Sequence, residues 1–151
     1  MSKITPFLWF DHQAEEAMNF YLSIFKSGKI LNVNRMGDKA FLVSFELVGQ
    51  KFMALNAGPK YKFTEAISLY VDCETQPEVD ELWEKLSAGG GESRCGWLKD
   101  KFGVSWQIIP KVLGKLMSDP NPAKSQAVMQ ALLKMDKIII ADLQKAYDTA
   151  A

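Results

Sequence analysis

The sequence predicts an α+β fold of two β-α-β-β-β modules followed by a helical tail. Three observations carry the prediction. A short apolar segment that runs into an aspartate and then into an amphipathic helix occurs twice, at Asp11 and at Asp72, sixty-one residues apart. Each helix is followed by short extended segments separated by turn residues. Beyond Pro110 the extended pattern stops and helical spacing takes over. The paired modules are expected over 1–110, at about 1–60 and 61–110, with the tail over 111–151 packed on the same domain or on a dimer partner.

In the first module, Ile4–Phe10 (ITPFLWF) is an apolar, aromatic run that reads as a buried strand. In AEEAMNFYLSIF, the residues Ala14, Ala17, Met18, Tyr21, Ile24 and Phe25 recur at helical spacing and give one apolar face. Asp11 suits the N-cap, and Glu15 and Glu16 sit in the first turn, where the helix dipole favours negative charge. Gly28 is expected at the C′ position. Three extended pieces follow, ILNVNRM, AFLVSFELV and KFMALNAG. The last two join through VGQK, where Gly49 supplies a hairpin turn.

The second module repeats the order. Ala66–Val71 (AISLYV) is a strand leading into Asp72. QPEVDELWEKLSA is a helix with Pro77 near its first turn, Val79, Leu82, Trp83 and Leu86 on its apolar face, and Gly89–Gly91 at its end. SRCGWLKD and VSWQIIP are two strands joined at DKFG. The segment after the helix is short, so one strand of this module is not apparent. In the tail, KVLGKLMS is a short amphipathic piece. DPNPAKSQAVMQALLKM carries capping chemistry at Asp119–Asn121 with Val128, Leu132 and Met135 at helical spacing, and IIIADLQKAY is a third helical piece.

Composition excludes several classes. With 48% hydrophobic and 11% aromatic residues the chain can build a core, which argues against disorder. Its 18 basic and 18 acidic residues cancel, so it has no general electrostatic pull toward nucleic acid or an anionic membrane. No stretch approaches the roughly 18 to 20 apolar residues of a membrane span. MSKITPFLWFDHQ lacks the apolar core of a signal peptide. Cys73 and Cys95 form no CxxC pair and no disulfide framework, so a reducing cytoplasm is the expected setting, although a bridge between the two stays open.

ITPFLWFDHQAEEAMNFYLSIF, GQKFMALNAGP, FTEAISLYVDCETQPEVDELWEKL and CGWLKDKFGVSWQIIP resemble the PhnB-like branch of the glyoxalase/bleomycin-resistance/dioxygenase (vicinal oxygen chelate) superfamily. Its members often carry the name 3-demethylubiquinone-9 3-methyltransferase-like. The resemblance runs over nearly the whole chain, DPNPAKSQAVMQALLKM included. It implies that the two modules form a cupped mixed sheet around a cleft, in a homodimer. It also implies three activities to weigh: small-molecule binding without a metal, methyl transfer, and a metal-dependent lyase or dioxygenase reaction.

Glyoxalase-type enzymes hold a divalent metal with about four His, Gln or Glu side chains, because a single such group binds weakly. The positions implied by the resemblance hold Thr5, Pro6 or Phe7 on the first strand and Ala66, Ile67 or Ser68 at the second module, with Asn56 and Gln107 as the remaining amides. Neutral amides alone are poor ligands, so no metal is expected. No strand followed by a GxGxG-type turn is present for S-adenosylmethionine, and AGGGES is no phosphate loop. No cofactor is therefore expected.

His12, the single histidine, lies at a strand-to-helix junction and reads as a solvent-facing residue. Cys95 has no base near it in sequence and reads as an inert thiol. Gln107 alternates with Ser105 and Ile109 on one strand face, with Trp106 pointing the other way into the core. Asn56 shares its face with Phe52 and Ala54 and either orients a ligand or ties down the following turn. Phe7 and Trp9 join Tyr70 and Trp97 as aromatics on the expected cup strands. The expected ligand-binding set is Gln107, Asn56, Trp9, Ser68, Tyr70 and Trp97, taking a small apolar or aromatic molecule.

Overall fold

The computed structural model describes residues 2–150, and the chain divides into two compact units after Phe63. The first unit runs β1 (Phe7–Phe10), α1 (Ala14–Ile24), β2 (Gly28–Met36), β3 (Lys39–Leu47) and β4 (Gln50–Asn56). The second runs β5 (Leu69–Cys73), α2 (Gln76–Ser87), β6 (Gly91–Glu92), β7 (Trp97–Lys99) and β8 (Ser105–Pro110), then α3 (Lys111–Met117), α4 (Pro122–Leu132) and α5 (Ile140–Thr149). The sheets have matching strand orders, β1-β4-β3-β2 and β5-β8-β7-β6. In both, the first strand pairs parallel with the last and the other pairs are antiparallel. The expected duplication is thus present at the level of topology, and the unassigned strand of the second module is the two-residue β6.

In the first unit, Ala14, Ala17, Met18, Tyr21 and Ile24 of α1 are buried with Val43, Phe45 and Leu47 of β3 and Phe52 and Ala54 of β4. Alternation along the strands puts these sheet residues on the side facing α1. Burying each large apolar side chain contributes about 1.5–3 kcal/mol. The entry to α1 differs from expectation. Its N-cap is Gln13, which makes no side-chain cap bond, and Asp11 does not cap it. The exit differs too. Phe25 is the C-cap, in extended backbone, and Gly28 instead opens β2. A Cβ on Gly28 would stand 2.6 Å from the Glu46 carbonyl and 2.8 Å from Leu22 Cδ2, so close approach is what requires glycine there.

In the second unit, Val79, Leu82, Trp83 and Leu86 of α2 are buried together with Cys73, Leu98, Trp106 and Ile108. Thr75 caps α2 by accepting from the Glu78 amide, and Pro77 lies in its first turn. The expected strand from Ala66 begins only at Leu69; Glu65 and Ala66 form a turn, and Ile67 and Ser68 lead irregularly into the strand. The expected strand around Cys95 begins only at Trp97, because Cys95 and Gly96 take φ of 60° and 84°, a left-handed pair that leaves the pleat. Their amides donate to the Met135 and Asp136 carbonyls of the tail.

The tail packs on this same unit. Leu116, Val128, Leu132, Ile138 and Leu143 form one cluster with Ile109 of β8. Asn121 caps α4 through the Ala123 amide, and Asp119 accepts from the Asn121 amide, as the sequence indicates. Gln76 latches the tail to α2. Its Nε2 donates to the Ile138 carbonyl at 3.0 Å, and its Oε1 accepts from the Ile140 amide at 2.7 Å. Among the described residues no helix is long and apolar enough to cross a membrane.

Candidate functional site on the open face of the second sheet

One face of each sheet carries its helix. On the second sheet the opposite face is built by a cross-strand row: Tyr70 on β5 sits opposite Gln107 on β8, which sits opposite Trp97 on β7. Tyr70 is 59% exposed, and Gln107 and Trp97 are half-buried. Ser68, just before β5, accepts a hydrogen bond from Gln107 Nε2 at 2.9 Å. This bond orients the amide and leaves Gln107 Oε1 as an acceptor. Partial desolvation against the sheet and the nearby Asp72 carboxylate push the Tyr70 phenol above its usual range, so it stays protonated and can donate at neutral pH. Four of the six residues expected to bind ligand, Ser68, Tyr70, Trp97 and Gln107, therefore converge on one surface.

The tail and one turn frame this face. Ile109 alternates with Gln107 and Ser105, and it is covered by the tail cluster, so α3–α5 close that end. At the other end, the row Lys99–Ser105 continues the face next to Gly91 of β6. Here Glu65, Gly91, Trp97, Lys99 and Ser105 line a groove of about 380 Å³. The β7–β8 turn beneath it is held by Asp100, which is buried. Asp100 Oδ1 accepts from the amides of Phe102 (2.9 Å) and Val104 (3.0 Å), and Oδ2 from Trp106 Nε1 (2.9 Å). Trp106 is buried on the helix side, as the alternation predicts.

Asn56 and Trp9 belong to the first unit. Asn56 lies on the α1 side of its sheet. Its Oδ1 accepts from the Ala14 amide at 2.8 Å, and its Nδ2 donates to the Ala40 carbonyl at 3.1 Å. It supplies from a neighbouring strand the cap that α1 lacks locally, and the AGP turn is not what it holds. Trp9 donates from Nε1 to the Gly58 carbonyl at 2.9 Å and stands edge-on to Tyr61, centroids 4.9 Å apart. Phe7, two residues away on the same face of β1, is 51% exposed.

His12 is 76% exposed in its side chain and lies 3.6 Å from Asp11, the strand-to-helix surface position that its sequence context indicates. Cys73 is buried. Burial, and after it the Glu78 carboxylate, pushes its thiol up to about 12. Cys95 Sγ faces the Leu132 carbonyl at 3.6 Å. Both cysteines are free thiols. Among the described residues no three His, Cys, Asp or Glu side chains converge as a metal-ligand group. Sequence reasoning did not single out Ser105, Lys99 or Glu65 as site residues. The alternation Ser105–Gln107 was the signal available for the first of them.

Two four-stranded sheets of one topology, each with a helix on one face, form an α+β fold of the glyoxalase/bleomycin-resistance type. The chain belongs to the 3-demethylubiquinone-9 3-methyltransferase family, whose model matches residues 2–109. The match ends before the tail helices. A PhnB protein of Bacillus cereus, provisionally described as a 3-demethylubiquinone-9 3-methyltransferase, is 38% identical and superposes with a TM-score of 0.68, covering 72% of this chain and 99% of that one. A protein of Pseudomonas aeruginosa shares the fold at 18% identity and a TM-score of 0.63, over 74% of this chain and 98% of its own. A glyoxalase/bleomycin resistance protein/dioxygenase domain from Frankia does so at 16% identity and 0.52, over 73% and 92%. No curated protein matches the chain.

Proposed function

We propose that the chain binds a small planar, largely apolar molecule on the open face of its second sheet, without a metal of the glyoxalase type. The observation that carries this reading is the row Tyr70–Gln107–Trp97, with Gln107 oriented by Ser68. Two aromatic rings flanking one fixed amide suit a planar ligand with a single polar substituent. The donor set supports the metal-free part. Of the two amides at the expected ligand positions, Asn56 is spent on the α1 N-terminus, and Gln107 alone does not hold a divalent ion. Metal analysis of the purified protein tests this, and a stoichiometric, tightly held ion contradicts it.

The test of binding is a thermal-shift screen of quinones, phenols and hydrophobic antibiotics on wild type and Gln107→Leu. A ligand at about a hundred times its Kd stabilises by about 2.7 kcal/mol, a rise of roughly 5–10 °C for a chain of this size. The shift should shrink in the variant. The family name favours a second reading, methyl transfer from S-adenosylmethionine. Against it, Gly89–Gly91 follow a helix rather than a strand, so they are not placed as a cofactor-binding turn. Calorimetric binding of S-adenosylmethionine in the micromolar range would favour the methyltransferase. A homodimer and a cytoplasmic setting belong to the same proposal. Sedimentation velocity tests the first, and localisation of a tagged chain tests the second.

A further inference from the structure

The groove at the Ser105 end of the face contains an unsatisfied group. Ser105 is 2% exposed, and its Oγ has no hydrogen-bond partner. A buried hydroxyl in that state is unfavourable unless something outside the fold completes it. Ser105 lines a groove of about 380 Å³ together with Trp97 and Lys99. Gly91 opposite Lys99 adds no side chain, and a Cβ built there would meet nothing within 4 Å, so the space above this row is open.

Two glutamates line the groove: Glu92 accepts a hydrogen bond from Trp83 Nε1 of α2, and Glu65 is the one placed to meet a cation of the face. Lys99 on β7 is paired with Glu65, which comes from the irregular segment before β5. Both side chains are well exposed, 47% for Lys99 and 65% for Glu65. Exposed pairs of this kind are held weakly and exchange readily for another anion. Lys99 is thus a cation beside an indole and a hydroxyl without a partner, and its present partner is the exposed Glu65 carboxylate.

We propose that this groove selects aromatic carboxylates. The ring lies along Trp97, the carboxylate displaces Glu65 from Lys99, and a ligand oxygen accepts the hydrogen bond that Ser105 is able to donate. The inference rests on the reading of this face as a ligand surface and adds the chemical class. No bond is made or broken; Glu65 is released to solvent as Lys99 changes partner.

Calorimetry with 2-naphthoate and its neutral analogue 2-naphthamide tests it, with 2-naphthol as a probe of the face alone. Wild type should prefer naphthoate over naphthamide by about tenfold, the margin of a charge-assisted hydrogen bond. Glu65→Gln, an exposed change that removes the internal competitor, should tighten naphthoate several-fold and widen its margin over naphthamide. Lys99→Met should erase the preference. Equal affinity for the two probes in wild type, or a preference that survives Lys99→Met, overturns the inference. If 2-naphthol binds under those results, the ligand face stands and the anion selectivity falls. If none of the three probes binds, both fall.

Discussion

Asn56 shows how one residue can serve the fold from a position that looks like a site. Its side chain caps α1 from β4, and Asp11, the residue with the better sequence credentials, does not. Asn56→Ala should therefore cost about 1–2 kcal/mol in a denaturant melt, while Asp11→Ala should stay within about 0.5 kcal/mol. Equal costs would return the cap to Asp11. Cys73 supplies a pH signature. The native chain keeps its thiol proton up to about pH 12, whereas the reference value is 9.0. The unfolded chain therefore loses that proton first. Its contribution to stability is intact below about pH 9 and is lost as pH rises toward 12. Alkylation followed by mass spectrometry at pH 8.5 should leave Cys73 unmodified in the native protein and modify it in urea.

At the scale of elements, the local signals that worked were those with a local cause. Thr75 and Asn121 cap their own helices, and the Val48–Gly49 turn sits where VGQK places it. The signals that misled had long-range causes. Asp11 lost its helix to Asn56, a strand residue 42 positions beyond the capped Ala14, and Cys95–Gly96 was pulled out of the pleat by carbonyls of the tail. The two-residue β6 is too short to leave a period. On the site face, alternation along VSWQIIP placed Gln107, but Lys99 and Glu65 come together by tertiary pairing that no spacing records. The hairpin itself is strained, since Val48 holds a φ of 48° that a β-branched residue seldom adopts. Val48→Asn should stabilise by about 0.5–1 kcal/mol, seen as a Tm rise of roughly 1–4 °C. A fall in Tm would mean that Val48 contributes packing that outweighs the strain.

At the scale of the molecule, the helical tail is outside the residues that the family model matches, yet it is built into the second unit. Its cluster covers Ile109 and so bounds the face on which Gln107 lies. Gln76 supplies one part of the polar attachment, beside the Cys95 and Gly96 amides, and its amide contacts both Ile138 and Ile140. Gln76→Ala should speed native-state hydrogen exchange at the Ile140 amide by about tenfold while leaving the β3–β4 ladder unchanged. Uniform acceleration would instead signal global destabilisation.

The face itself is tested most directly by nitrogen-15 NMR of the wild-type protein titrated with 2-naphthol. Binding at the Tyr70–Gln107–Trp97 row should move the Gln107 side-chain amide and the Trp97 indole signals. The indole of Trp106, buried behind the same strand and bonded to Asp100, should hold still. Shifts that bypass Gln107 and Trp97, or none at saturating probe, would contradict the assignment of this face as the ligand surface.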